Sequence, residues 1–181
     1  MSIVDKFRSE LKKINPSFLK QWDKEGSIML MNLRINAEGE TMLHYVCNNL
    51  LVDLATVLLD FEKIRELVKG PIEESHYKKF VFAETTSGET ALYQCLKKLE
   101  VDKRSDQLMV ILAQFMKSNL VPSDYVNNRT GRQTTFVHMI VEREQVYLLI
   151  NYIVRCKKSG VPMDFFSKDF FLLLACFCII L

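Results

Sequence analysis

Apolar residues recur at helical spacing along most of the chain. Ile3, Phe7, Leu11 and Ile14 share one face, which predicts a helix over residues 2–14, and Ser2 with Asp5 forms a capping-box variant at its start. Asn15-Pro16 ends that helix and opens another, with Pro16 at the first helical position and Phe18, Leu19 and Trp22 on its apolar face. Lys24-Glu25-Gly26 closes it. Residues 27–35 are apolar and fit a short strand or a helical turn equally well. Further on, the pattern predicts a short helix over residues 41–48. A long one follows over residues 52–68, where Leu54, Val57, Leu58, Phe61, Ile64 and Leu67 form one stripe. Gly70-Pro71 stops the long helix, and a short helix is expected within residues 72–82. Helices over residues 90–98, 105–117, 134–143 and 145–157 complete the series. The expectation is an all-α chain.

One stretch returns. Residues 36–47, NAEGETMLHYVC, join a turn at Asn36 and Gly39 to a helix that Thr41 can cap. Residues 85–96, TTSGETALYQCL, repeat it with Gly88, Thr90 and Leu92 in step. Residues 128–140, NRTGRQTTFVHMI, carry a worn copy with Gly131 and Phe136. A unit used three times predicts a repeat architecture.

The repeated stretch resembles the ankyrin repeat, whose pattern is a turn, then G-x-T-x-L-H, then two antiparallel helices. Gly39, Thr41, Leu43 and His44 take those positions in the first copy, and Leu58-Leu59 matches the Leu-Leu pair of the second helix. The second copy has Tyr93 at the His position. The third has Val137 there, and its glycine is one residue early. The glycines recur at spacings longer than the family's roughly 33 residues, which requires insertions near residues 70–82 and 99–106. The resemblance implies an N-terminal helical cap over residues 1–35, three repeats over residues 36–160, and an incomplete fourth over residues 161–181. Val161-Pro162-Met163-Asp164-Phe165 echoes Val121-Pro122-Ser123-Asp124-Tyr125 and marks the start of that fourth unit.

Composition narrows the function. Hydrophobic residues are 49% and charged residues 25%, as in an ordinary folded domain. The net charge of +2 supplies no field for nucleic acid, and the Lys78-Lys79, Lys97-Lys98 and Lys157-Lys158 doublets are too dispersed for a phosphate-binding stripe. The odd count of 5 Cys within apolar patterns suits small buried residues in a reducing, cytoplasmic setting rather than a disulfide frame. The amphipathic, charged start does not resemble a signal peptide.

Chemistry-bearing motifs are few. His44 and Cys47 share one helical turn and could form a base–nucleophile pair, against the reading that His44 is the structural histidine of the repeat turn. His76 and His138 stand apart from any cysteine, and Cys176-Phe177-Cys178 has the wrong spacing for zinc. No CxxC, HExxH, GxGxxG or P-loop pattern occurs. The expectation is a chain with no catalytic residue, metal or cofactor.

The last four residues, Cys178-Ile179-Ile180-Leu181, match the C-a-a-X prenylation box. Prenylation at Cys178 would tether the chain to a membrane. The other reading is an interrupted repeat helix, whose bare face from Phe170 to Leu181 would drive self-association. The run is too short to span a membrane.

What the resemblance implies is a protein-binding scaffold whose partner surface is formed by loop tips and the open side of each first helix. Tyr45, Gln94 and His138 follow the His position in the three copies, and Asn48, Lys97 and Val141 stand one turn on. Glu38 and Glu40, Ser87 and Glu89, then Arg129 and Arg132 are the tips, running from acidic to basic. Tyr45 is the expected anchor. Ankyrin proteins occur in eukaryotic signalling and among proteins that intracellular bacteria deliver into host cells, and both settings stay open. A third reading makes the chain the N-terminal fragment of a larger enzyme.

Overall fold

A computed structural model describes residues 2–68, 71–101 and 106–117, together with the isolated positions 150 and 154. The chain divides into two compact units, Met1–Asn119 and Leu120–Leu181. All the elements below belong to the first. Among the described residues there are nine helices, and the only extended pairing is one antiparallel bridge between Glu84 and Thr90.

The first two helices form where their local signals place them. Helix α1 (Ile3–Ile14) starts at Ser2, whose Oγ accepts from the Asp5 backbone N–H at 3.1 Å while the Asp5 carboxylate accepts from the Ser2 N–H at 3.2 Å. Helix α2 (Pro16–Glu25) is capped by the Asn15 side chain and ends at Gly26, whose φ of 53° suits a residue without Cβ. Phe7 packs on Trp22 with ring centroids 4.9 Å apart and links the two helices. The ambiguous segment after Gly26 is helical, α3 (Ser27–Asn32).

Helix α4 (Met42–Asn48) ends in a Schellman motif. The Leu51 N–H reaches the Val46 carbonyl at 3.0 Å and the Leu50 N–H reaches Cys47 at 3.2 Å. Leu50 takes the left-handed position, φ 53°, that glycine usually fills. The expected long helix over residues 52–68 is two helices, α5 (Val52–Leu58) and α6 (Phe61–Val68). The cause is Asp60. Its carboxylate accepts from the backbone N–H groups of Glu62 and Lys63 at 3.1 and 3.2 Å, which starts a new helix in mid-stripe. Helix α7 (Glu74–Val81) lies within the expected residues 72–82. Helix α8 (Ala91–Val101) runs three residues past its expected end and takes up part of the expected insertion at residues 99–106, and α9 is Asp106–Lys117.

Packing sets helix pair on helix pair. Helices α4 and α5 form one pair and α8 and α9 another, with α4 against α8 and α5 against α9. Helix α1 packs on α5, where Lys6 and Asp53 pair at 2.7 Å. Helices α6 and α7 return to pack on α3, and the Phe61 and Tyr77 rings meet at 5.1 Å. The core between the pairs contains Leu43, Val46, Cys47, Ala91, Cys95 and Ile111, all at most 1% exposed. This is an all-α helical-repeat or bundle arrangement.

Leu43 is fully buried and Leu92 is 5% exposed, at matching positions of the two pairs. Each Leu→Ala change is expected to cost about 2–5 kcal/mol, the usual penalty for a vacated core site. Chemical denaturation checks this, and losses below about 1 kcal/mol at both sites would contradict the stacked register.

Candidate functional site

Two turns hold the site. In the first, the Ile35 N–H bonds the Glu40 carbonyl at 2.8 Å and the Gly39 N–H bonds Asn36 at 3.2 Å. The second repeats it, with Thr85 to Glu89 at 3.0 Å and Gly88 to Thr85 at 3.0 Å. Gly39 and Gly88 have φ of 75° and 74°, where a side chain is strained. The turns dock on each other, because the Thr86 N–H reaches the Glu38 carbonyl at 2.8 Å and its hydroxyl donates to the same oxygen at 3.2 Å.

His44 joins the turns beneath that contact. It is 1% exposed. Nδ1 accepts from the Thr41 N–H at 3.2 Å and from the Thr41 hydroxyl at 2.8 Å, while Nε2 donates to the Glu89 carbonyl at 3.1 Å. A backbone N–H only donates and a carbonyl only accepts, so the imidazole must be neutral with its proton on Nε2. Burial pushes its pKa below the usual histidine value, although the bond to Glu89 works the other way.

That geometry leaves no free nitrogen for base chemistry. Cys47 is a fully buried thiol whose pKa is raised well above normal, first by its hydrogen bond with Cys95 and then by desolvation. A protonated thiol beside a fully engaged imidazole lacks the activation a nucleophile needs.

The residues expected at the partner surface have different fates. Asn48 and Gln94, from α4 and α8, meet: Asn48 Nδ2 donates to Gln94 Oε1 at 2.9 Å. Both amides converge on Glu40 Oε1, at 3.0 Å from Asn48 and 3.4 Å from Gln94. Lys97 pairs with Glu89 at 3.0 Å. The Lys98 ammonium bonds the Asn48 carbonyl and so caps the C-terminus of α4 from the neighbouring pair. Tyr45 is half-buried, and its hydroxyl donates to Glu10 Oε2 at 3.0 Å. Burial and that carboxylate raise the phenol pKa. Tyr45 therefore ties α1 to α4 rather than presenting a free hydroxyl.

Glu10 was not foreseen at this face. It lies far from Tyr45 in sequence and no local pattern links them. His138, Arg132, Val141, Arg129, Cys178 and the run from Phe170 to Leu181 lie outside the described residues.

A separate cleft of about 310 Å³ opens among α1, α2 and α6, lined by Val4, Arg8, Trp22, Asp23, Leu67 and Val68 among others. Arg8 and Asp23 form an ion pair at its wall, so the cleft offers no unbalanced charge there. Among the described residues no group of three His, Cys, Asp or Glu is placed to hold a metal ion, and no helix is long and apolar enough to cross a membrane.

His44 makes stability depend on pH. Between its depressed folded pKa and the unfolded value of about 6.5, the unfolded chain holds a proton that the folded chain does not. Stability from this group is full above about pH 6.5 and falls as pH drops, by at most about 1.4 kcal/mol per pH unit. Denaturation at pH 7, 6 and 5 should show that loss in the wild type. His44→Gln, whose amide can still accept from Thr41 and donate to Glu89, should lack it. An equal slope in both proteins would contradict the neutral buried imidazole.

No protein-family model, curated protein or solved structure matches the chain.

Proposed function

We propose that the chain is a divergent ankyrin-like repeat protein that binds another protein through the face carrying Asn48, Gln94 and Lys97. The observation that supports this reading most is the hydrogen bond between Asn48 and Gln94, which joins adjacent helix pairs on one face. Tandem helix pairs create a continuous surface of this kind. The docked turns, glycines with φ near 75° and the His44 bridge support the ankyrin-like assignment. Lys97, with its side chain 51% exposed, offers the outer polar edge. Two buried free thiols, Cys47 and Cys95, suit a reducing compartment. Binding rather than catalysis is the activity proposed.

The test is affinity capture from a cell lysate with wild type and with the double variant Gln94→Arg, Lys97→Ala, after circular dichroism has shown that the fold survives. Specific partners should fall by roughly tenfold or more with the variant, about 1.4 kcal/mol of binding free energy. Retention of every specific partner would place binding elsewhere.

A further inference from the structure

Glu40 is a carboxylate on this face held without a cation among the described residues. Glu10 has Lys13 at 2.6 Å and Glu89 has Lys97 at 3.0 Å. Glu40 is held by amides: Asn36 at 2.8 Å on Oε2, and Asn48 and Gln94 on Oε1. Among the described residues no cation lies within ion-pair distance of it. The carboxylate is half-buried, which weakens screening by water.

The carboxylate also fixes both amides. It accepts only, so the nitrogens of Asn48 and Gln94 must face it. The second Asn48 N–H is used by Gln94 Oε1. What remains is one acceptor, Asn48 Oδ1, and one donor, the second N–H of Gln94. Asn48 Oδ1 accepts no hydrogen bond among the described residues. An acceptor beside a donor complements one residue of an extended chain, whose own N–H and C=O point to the same side.

We propose that this constellation reads an extended, basic peptide segment of a partner. A backbone N–H of the segment donates to Asn48 Oδ1, a backbone C=O accepts from Gln94 Nε2, and a Lys or Arg side chain supplies the cation that Glu40 lacks. A helical segment cannot do this, because its backbone groups are already bonded to one another. An extended one leaves them free. The inference rests on the binding face proposed above and adds the conformation and charge of what it holds.

The experiment is selection of random linear peptides displayed on phage against the full chain, followed by binding measurements on the best synthetic peptide. The expected result is a Lys or Arg at one fixed position. Binding should fall roughly tenfold with Glu40→Gln, which removes the charge and keeps the shape, and with Gln94→Met, which removes the donor. N-methylation should weaken binding strongly at one peptide bond and little at its neighbours. Enriched peptides that are acidic, or that bind both variants as well as wild type, would overturn the proposal. So would the absence of any enriched peptide. If no peptide is enriched while lysate capture is still lost with Gln94→Arg, Lys97→Ala, the face binds a folded surface, and only the peptide inference falls.

Discussion

The His44 imidazole bonds the start of its own helix to the turn that opens the next helix pair. Its Nδ1 completes the start of its own helix at Thr41, and its Nε2–H reaches across to the Glu89 carbonyl of the next turn. That carbonyl also accepts from the Thr85 N–H, so the second turn closes on the same oxygen that the first unit holds. A buried, unpaired polar group costs roughly 1–3 kcal/mol. The three groups satisfy one another only when the two turns are in register, so the bond penalises any slip between the helix pairs.

The polar face follows from that register. With the turns docked, α4 lies against α8, and Asn48 and Gln94 arrive side by side above Glu40. Lys98 closes the end of α4, and Tyr45 with Glu10 fastens α1 to the same helix. The face thus has a structural edge at Tyr45 and an open centre at Glu40, Asn48 and Gln94. Burial of apolar surface supplies most of the stability, through Leu43, Leu54, Leu58, Ile111 and Phe115, but it is not directional and does not set which amides meet.

Local signals were legible and long-range ones were not. Ser2, Asn15, Pro16 and Gly26 bound their helices where the residue types alone place them. The turn glycines stood out because the same neighbours return around them, and His44 because it completes that pattern in the first copy. The break at Asp60 went unread because Leu58, Phe61 and Ile64 keep the helical period across it, so the apolar pattern hides the cap. Residues 27–35 were ambiguous because so short an apolar-rich run fits either period, and the helix takes only Ser27–Asn32 of it. At the face, the repeat register singled out Asn48 and Gln94, whose amides meet in the structure. It could not show that Tyr45 is taken up by Glu10, since that contact spans 35 residues.

The central claim is that His44 couples the two helix pairs into one cooperative structure. Hydrogen exchange resolved to α4 and α8 tests it most directly. In the wild type both helices should exchange with the same opening free energy. In His44→Ala, α8 and the Thr86 amide should lose protection well before the amides of α1. Unchanged protection of α8 and Thr86 in that variant would contradict the account.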